Sequence, residues 1–133
     1  MTNRETIMAL YEGFGAGDIN VIVALMAADI VWHEAENNKL ADRNPYRGPQ
    51  AIVEGVFARI AEDFDEFTVE IGRVIEDGET VAMQGRYRAR AKASDAEINP
   101  QIVHWWTLRD GKIATFQQHV DTFALARALG EPK

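Results

Sequence analysis

The sequence predicts an α+β domain, in which helices pack against one side of an antiparallel sheet. Three observations favour this fold. Apolar residues recur at helical spacing in the first half of the chain, whereas they alternate with polar residues in the second half. Asp-Gly pairs at 77–78 and 110–111 separate the alternating segments, as hairpin turns do. The 133 residues suit one domain with a buried core, which we expect to span residues 1–133.

Two helices are predicted at the start of the chain. Thr2 and Glu5 have the spacing of a capping box, which indicates where the first helix begins. Glycines at 13, 15 and 17 weaken and end that helix. Asp18 is a good N-cap for the second helix. The apolar residues of the two helices are Ile7, Leu10, Tyr11, Phe14, Ile19, Ile22, Val23, Leu25 and Met26.

A short strand, a long loop and a third helix are expected next. The strand covers residues 30–34 and reads Ile-Val-Trp-His-Glu. Residues 35–47 are polar and irregular, which predicts the longest loop and a mobile lip over any cavity beside it. Pro49 suits the first turn of the third helix. The apolar stripe of that helix is Ile52, Val56, Phe57, Ile60 and Phe64.

Four strands and a last helix are predicted for the rest of the chain. The first strand begins at Phe67 and ends at the 77–78 turn, and strands at 101–109 and 112–120 follow the polar connection at 94–100. Asp121 caps a helix that ends at Gly130. The strand after the first turn alternates clearly. Its inward residues are Val81, Met83, Gly85, Tyr87 and Ala89, and its outward residues are Gln84, Arg86, Arg88 and Arg90.

The turn between the last two strands decides which side chains share a face. A three-residue loop at 109–111 would pair Leu108 with Lys112 and His104 with Phe116, whereas a two-residue turn would pair His104 with Gln117. We favour the three-residue loop because glycine stands last in it. One face then carries Ile102, His104, Trp106, Phe116, Gln118 and Val120.

Composition narrows the classes of function. The net charge of −7 argues against a general nucleic-acid or anionic-membrane binder, because both need a positive surface. The lack of cysteine excludes disulfides, thiolate catalysis and cysteine metal sites, and it is compatible with a reducing cytoplasm. The opening residues show no signal-peptide pattern, and no apolar run approaches ~18 residues. We expect a cytoplasmic protein without nucleic-acid or membrane partners.

Two ionisable residues lie in apolar strands and suggest a lined cavity. Burial of Glu34 or His104 is costly unless each is paired, and such groups are enriched at functional sites. The alternatives are that Glu34 ends an edge strand in water and that His104 is a core histidine with satisfied hydrogen bonds. Trp32 and Trp106 are expected at the pocket, either stacking on a flat ligand or filling the core, with Trp105 on the other face.

A metal site is not expected from the histidines. His33, His104 and His119 share no short spacing, and alternation puts His33 on the opposite face from Trp32 and Glu34. We therefore predict no metal and no other cofactor.

Motifs along nearly the whole chain resemble the nuclear transport factor two-like superfamily, which includes ketosteroid isomerases, polyketide cyclases and limonene epoxide hydrolases. The fold is the stronger signal, because one fold hosts many functions. The matching segments, in order, are Gly17-Asp18, Ala28-Asp29 before a Trp-containing strand, Pro45-Tyr46-Arg47-Gly48 before a helix, Leu108-Arg109-Asp110-Gly111-Lys112-Ile113 and His119-Val120-Asp121-Thr122.

The resemblance implies a strongly curved antiparallel sheet that is wrapped with the N-terminal helices into a cone, a cystatin-like α+β barrel. The cone encloses an apolar pocket. The outer face of such sheets often forms a dimer interface, so a homodimer is expected.

The resemblance also implies roles for individual residues. Ketosteroid isomerases have a carboxylate base at the position of Glu34 and a protonated aspartate, an oxyanion donor, at that of His104. Their tyrosine donor falls on Leu10 by count, with Tyr11 one residue away, a rotation of about 100° on a helix. An aspartate of limonene epoxide hydrolases and of some polyketide cyclases matches Asp121, which helix capping alone also explains.

One member activity is not expected. The Arg-x-Asp pair of limonene epoxide hydrolases falls near Arg86-Tyr87-Arg88, where arginine replaces the acid. We therefore do not expect epoxide hydrolysis by that mechanism.

Three functions remain open. The first is an isomerase, cyclase or dehydratase that performs acid/base chemistry on an apolar, carbonyl-bearing molecule. The second is a protein that binds a small ligand without turnover, and the third is a protein-binding module. For the first, the candidate catalytic residues are Glu34, His104 and Asp121, and the candidate substrate-binding residues are Tyr11, Phe14, Trp32, Phe57, Trp106, Phe116 and Gln118.

Overall fold

The computed structural model describes residues 1–130, and the last three residues of the predicted domain lie outside that range. One mixed sheet and the helices packed on it make up the fold. The helices are α1 Asn3–Ala16, α2 Ile19–Leu25, α3 Pro49–Ile52, α4 Ala58–Asp63 and α5 Thr122–Leu129, with a 3-10 helix at Lys39–Arg43 and a π-helical turn at Val53–Phe57. The strands are β1 Met26–His33, β2 Tyr46–Arg47, β3 Phe64–Asp77, β4 Thr80–Ala91, β5 Glu97–Ile98, β6 Gln101–Arg109 and β7 Lys112–Val120.

The predicted caps of the first two helices are confirmed. The backbone N–H of Glu5 donates to Thr2 Oγ1 over 3.0 Å, and the backbone N–H of Thr2 donates to Glu5 Oε1 over 2.7 Å. α1 ends at Gly17, which has a φ of 69°, a conformation that glycine adopts without steric cost. Asp18 Oδ1 accepts from the backbone N–H of Val21 over 3.2 Å and caps α2.

The sheet has the strand order β2-β1-β7-β6-β4-β3, with β5 beside β4. It is curved and unclosed, and the strands β3, β4, β6 and β7 form the predicted antiparallel meander. β1 joins β7 in parallel, with Trp32 opposite Phe116, which the apolar pattern did not indicate. This pairing brings the end of β1 beside the row of inward residues on β6 and β7.

Strand β1 is longer than predicted and begins earlier. Met26, which was assigned to the second helix, is extended and pairs with Ile113 of β7. An irregularity between Met26 and Val31 separates the two paired parts of the strand. β1 ends at His33, so Glu34 lies one residue beyond it rather than within it.

Several other boundaries also differ from the prediction. β3 begins at Phe64, which was assigned to the third helix. The loop at 35–47 contains the 3-10 helix and β2, which pairs with β1, and the connection at 94–100 contains β5. Strand pairing of short polar segments depends on distant partners, which local sequence patterns do not report.

The predicted three-residue loop between β6 and β7 is wrong. Arg109 pairs with Lys112, which leaves a two-residue turn of Asp110 and Gly111 with φ values of 52° and 78°. Positive φ at both positions is the geometry of a type I′ turn, which matches the twist of the flanking strands.

A bulge then shifts the register by one further residue. Leu108 pairs with Ile113 but Thr107 pairs with Thr115, so Ala114 is the extra residue of β7. His104 consequently lies opposite Gln118, not Phe116 or Gln117. The predicted face is nevertheless retained, because this register differs from the predicted one by two residues, an even number.

The core lies between the concave face of the sheet and the helices. Val81, Met83, Tyr87 and Ala89 of β4 are buried, as predicted from alternation. Trp105 lies on the other face and is 49% exposed, also as predicted. No helix within residues 1–130 is long and apolar enough to cross a membrane.

Candidate functional site

A cavity of about 40 Å³ lies between the inner face of the sheet, α1 and the π-helical turn. Nine of the ten predicted site residues line it, namely all except Asp121. The complete lining is Leu10, Tyr11, Phe14, Trp32, Glu34, Val56, Phe57, Ile60, Phe67, Val69, Tyr87, His104, Trp106, Phe116 and Gln118.

The buried polar side chains converge on this cavity. Within the described part of the chain, the buried polar or charged residues are Thr6, Glu34, His104 and Gln118. The last three line the cavity, and each is at most 5% exposed. The alternative that Glu34 ends an edge strand in water is therefore wrong. His104 is buried with both ring nitrogens hydrogen-bonded, which agrees with the alternative of a core histidine with satisfied hydrogen bonds, and it also lines the cavity.

Glu34 is held from both its backbone and its carboxylate. The side chain of Asn44 accepts from the Glu34 N–H over 2.9 Å and donates to the Glu34 carbonyl over 2.8 Å. Trp32 Nε1 donates to Oε2 over 2.7 Å, and Asn38 Nδ2 donates to Oε1 over 3.2 Å. Burial raises the pKa of Glu34 to about 7, against the two donated hydrogen bonds, which lower it. The carboxyl is therefore poised to gain or lose a proton near neutral pH.

His104 is the centre of a chain of hydrogen bonds across the cavity wall. Its Nδ1 lies 2.8 Å from the Tyr11 hydroxyl, and its Nε2 lies 2.7 Å from the Tyr87 hydroxyl. Trp106 Nε1 donates to the Tyr11 hydroxyl oxygen over 3.0 Å, and Gln118 Nε2 donates to that of Tyr87 over 2.6 Å. Burial lowers the pKa of His104 to about 3, with a smaller contribution from His119. The imidazole is thus neutral at ordinary pH.

A neutral imidazole carries one N–H and one acceptor nitrogen, which determines the protons of this chain. One tyrosine must donate to His104 and the other must accept from it. Each phenol oxygen also accepts from its outer partner, Trp106 or Gln118. In either tautomer, therefore, one phenol keeps a hydrogen that no member of the chain accepts. Since Tyr11 and Tyr87 both line the cavity, that O–H can donate to a group inside it.

The cavity is much smaller than we expected for a cone-shaped substrate pocket. Aromatic side chains fill most of it, including Trp32, whose ring centroid lies 4.0 Å from that of Phe116. The remaining space suits about one or two water molecules. Any larger ligand must displace side chains.

Three half-buried phenylalanines line the cavity and pack against one another. Phe14 of α1 contacts Phe57 and Phe67, with centroid distances of 5.9 Å in each case. Phe57 belongs to the π-helical turn, a distortion that is frequent at functional sites. We refer to Phe14, Phe57 and Phe67 as the phenylalanine cover.

A second cavity, of about 30 Å³, adjoins the first. Glu34, Ile60, Phe67, Tyr87 and Gln118 line both. The rest of its lining comes from the 34–40 loop, α4, the start of β3, Val120 and α5. Glu34 and Gln118 therefore lie where the two spaces meet.

The structure does not bring Asp121 to this site. Its Oδ1 accepts from the backbone N–H of Ala124 over 3.2 Å, so it caps α5. Asp121 lines an open groove of about 690 Å³ on the outside of the sheet, with Arg73, Gln84 and His119 among its neighbours. The helix-cap interpretation describes its position, and its placement with Glu34 and His104 is wrong.

Two polar residues of the site, Tyr87 and Asn38, were not identified from the sequence. Tyr87 was predicted to face inward, and a buried phenol needs a partner, so its position carried a usable signal. Asn38 lies in an irregular loop, where no periodicity indicates which way a side chain points. Tyr11 hydrogen-bonds to His104, although the position counted for a tyrosine donor was Leu10, one residue earlier. Both residues line the cavity.

No three His, Asp or Glu side chains among residues 1–130 are grouped so that they could hold a metal ion. The polar groups of the cavity are one carboxyl, one imidazole, two phenols, two indoles and one amide, of Glu34, His104, Tyr11, Tyr87, Trp32, Trp106 and Gln118. This set can transfer a proton and stabilise a developing negative charge.

Comparison with known proteins agrees with this fold. Over its whole length the chain is similar to an NTF2-like protein of Burkholderia thailandensis E264, with 28% identity, 99% of each chain covered and a TM-score of 0.92. TerC, crystallised with polyporic acid, is 26% identical over 97% of this chain and 98% of its own, with a TM-score of 0.86.

A third solved structure shares the fold at lower identity. A putative SnoaL-like polyketide cyclase of Jannaschia sp. CCS1 is 22% identical over 98% of this chain and 93% of its own, with a TM-score of 0.84. No curated protein matches the sequence. The model of the SnoaL-like domain matches residues 7–116, most of the chain, and the fold has NTF2-like neighbours. The chain therefore belongs to the SnoaL-like domain family, within the NTF2-like superfamily.

Proposed function

We propose that this protein is a small enzyme that performs acid/base chemistry, without a cofactor, on an apolar, carbonyl-bearing molecule. One observation carries the proposal. A buried carboxyl with a pKa near 7 and a phenol–imidazole–phenol chain with one unspent O–H line the same cavity. A base and a donor for an oxyanion are the two groups that proton abstraction beside a carbonyl requires.

In this mechanism Glu34 removes a proton from the carbon next to the carbonyl. The electron pair of that C–H bond moves onto the carbonyl oxygen, which becomes an enolate and accepts from the free hydroxyl of Tyr11 or Tyr87. His104 stays neutral and orients the two phenols. The protonated Glu34 then returns its proton to another carbon, which gives an isomer. Alternatively, the enolate carbon attacks a second carbonyl, whose π electrons move onto its oxygen, and that oxygen takes the proton from Glu34 to give a cyclised alcohol.

The walls of the cavity determine what kind of molecule can enter. Trp32, Phe57, Trp106 and Phe116 present aromatic surface, which favours a flat, apolar substrate. Because the free space is small, binding requires the phenylalanine cover to open. TerC, which is 26% identical, was crystallised with polyporic acid, and this supports a small organic ligand for this chain as well.

The test is exchange of carbon-bound hydrogen for deuterium. A panel of steroid, cyclic and aromatic ketones in D₂O is followed by proton NMR for loss of the signals beside the carbonyl. We expect at least one ketone to exchange, and Glu34→Gln to slow that exchange by about 10²–10⁴-fold. Exchange should rise with pH and level off above about pH 7, because only the ionised carboxylate accepts a proton.

A matched control is available in the same loop. Glu36 is exposed, so Glu36→Gln removes an equal charge without entering the cavity and should leave exchange unchanged. Normal exchange in Glu34→Gln would remove Glu34 from the mechanism.

Ligand binding without turnover is the second candidate function. The paired state of the buried polar groups favours it, because Glu34 and His104 already hydrogen-bond to neighbouring side chains and can line a ligand site without transferring a proton. Thermal stabilisation by a panel member that shows no exchange would support this alternative. A role as a protein-binding module would be supported if no small molecule stabilised the protein.

We also propose that the protein is a cytoplasmic homodimer. The lack of cysteine is compatible with a reducing compartment. The net charge of −7 disfavours nucleic acid and anionic membranes as partners. The outer face of the sheet, with Trp105 half-exposed, is the surface proposed for the second copy.

A further inference from the structure

One buried polar atom in the site has no partner. Gln118 is 5% exposed, and its Nε2 donates to the Tyr87 hydroxyl over 2.6 Å. Its Oε1 accepts from nothing, and it is the one buried side-chain nitrogen or oxygen without a hydrogen bond in the described part of the chain. A buried amide oxygen left in this state costs free energy comparable to a lost hydrogen bond.

The position of Gln118 suggests what would satisfy it. The residue lines both cavities, opposite His104 across the β6–β7 ladder. Most of the neighbouring wall is apolar, from Phe67, Val120, Leu125 and Leu129. The other polar groups there are already paired, since Tyr87 contacts His104 and Glu34 accepts from Trp32 and Asn38. None of these groups donates to Oε1 in the structure, so a donor on a water or ligand that enters the site would satisfy it.

We propose that Gln118 selects ligands that bear a hydroxyl or N–H donor on the side away from the reacting carbonyl. The proposal rests on the proposed function, because it takes the carbonyl to lie against the phenols and the donor to reach Gln118 Oε1. The substrate class is thereby narrowed from apolar ketones to hydroxylated or amino-bearing ones. A site with a buried acceptor discriminates strongly, since a ligand without the donor leaves the oxygen unpaired.

Equilibrium binding to three related ketones tests this selectivity. The probes are 4-hydroxyacetophenone, 4-methoxyacetophenone and acetophenone, measured by calorimetry with the full chain. We expect the hydroxyl compound to bind roughly tenfold tighter than both others. The methoxy compound is larger and acetophenone is smaller, so ligand size cannot produce this order. Both are also less polar, so the hydrophobic effect alone would give the reverse order.

Two variants assign the preference to Gln118. Gln118→Met has a similar length without polar atoms and should bind the three probes within about twofold of each other. Gln118→Glu keeps an acceptor oxygen and should keep the preference. A crystal structure of the wild-type protein with 4-hydroxyacetophenone is independent of whether the variants fold, and it should place the ligand hydroxyl about 3 Å from Oε1.

The possible outcomes separate this inference from the proposed function. Equal binding of the probes to the wild type, a preference for the methoxy compound, or a preference that survives in Gln118→Met would overturn the inference. Deuterium exchange without a hydroxyl preference contradicts the role of Gln118 alone. A hydroxyl preference without exchange of any ketone in the panel contradicts the enzyme alone. Binding of none of the three probes contradicts the role of Gln118, whereas exchange of any panel ketone would still support the enzyme.

Discussion

At the scale of single residues, two buried ionisable groups make stability depend on pH in opposite directions. Burial raises the pKa of Glu34 from 4.5 to about 7, so between these values the folded protein keeps a proton that the unfolded chain releases. Stability from this group is therefore lost as pH rises through about 7. Burial lowers the pKa of His104 from 6.5 to about 3, so its contribution is lost as pH falls from 6.5 towards 3.

Replacement of Glu34 by glutamine should consequently stabilise the protein above pH 7. A shift from 4.5 to about 7 corresponds to roughly 3 kcal/mol of destabilisation above pH 7, and glutamine loses one of the two donated hydrogen bonds, about 1 kcal/mol. We expect Glu34→Gln to raise the free energy of unfolding by about 2 kcal/mol at pH 8. At pH 4 the Glu34 carboxyl is mostly protonated in both the folded and the unfolded wild-type chain, so Glu34→Gln should not raise the free energy of unfolding.

Urea unfolding followed by tryptophan fluorescence measures this difference at both pH values. Glu36→Gln is the control. Because Glu36 is exposed, this variant should give the wild-type unfolding curve at pH 4 and pH 8. A Glu34→Gln protein whose stability changes equally at both pH values would show that folding does not raise the pKa of Glu34.

The residues of the site were predictable to different degrees. Alternation along β6 and β7 was sufficient to place His104, Trp106, Phe116 and Gln118 on one inward face, even though the predicted register was wrong. Which of these groups contact one another could not be predicted, because hydrogen-bond partners such as Tyr11 and His104 are 93 residues apart. Asp121 was open to both interpretations because a helix cap and a catalytic aspartate have the same local sequence, and the structure places it at the cap of α5.

At the scale of elements, helix caps and hairpin turns follow from local chemistry, whereas bulges and parallel pairing do not. The capping box of α1 and the location of the Asp110-Gly111 turn are visible in two to four residues, although the length of that turn was predicted wrongly. The parallel pairing of β1 with β7 joins segments about 85 residues apart, and the Ala114 bulge is defined only by how β7 pairs with β6. The π-helical turn likewise has no sequence signature, although it delivers Val56 and Phe57 to the cavity.

The π-helical turn is held close to the loop over the cavity by Gly55. A Cβ at Gly55 would overlap the ring of Tyr46, whose hydroxyl donates to the carbonyl of Leu40. Tyr46 therefore joins β2, the turn and the loop that carries Asn38. Because the ring cannot move without breaking these contacts, Gly55 is required here for space and not for its backbone freedom.

We expect Gly55→Ala to lower the free energy of unfolding by about 1–3 kcal/mol through this overlap. Gly15→Ala is the matched control, because Gly15 lies in α1 with open space around it and alanine favours the helix by about 0.5–1 kcal/mol. Thermal or urea unfolding of the two variants should give changes of opposite sign. Two stabilising substitutions would mean that Tyr46 does not pack on the turn.

At the scale of the whole molecule, the two faces of the sheet have different chemistry. The concave face is aromatic and holds the cavity. The convex face carries an uncharged row across five strands, in a chain where 26% of the residues are charged. That row is Ile75, Ala82, Trp105, Gln117 and His33, and both Ile75 and Trp105 are about half exposed. Such a patch on an acidic protein is the kind of surface that a second copy can cover.

A charge at the centre of this row should separate the proposed dimer. In a two-fold interface both subunits contribute the same surface, so each residue of that surface is present twice. Trp105→Glu therefore introduces two like charges and removes two apolar side chains. We expect the wild type to sediment at twice the 14.9 kDa of one chain and Trp105→Glu to sediment as a monomer. Val21→Glu adds the same charge on exposed α2 and should remain dimeric, as should Trp105→Phe. A wild type that sediments at 14.9 kDa at micromolar concentration would mean that the convex face binds no second copy, and each chain would then have to act with its cavity alone.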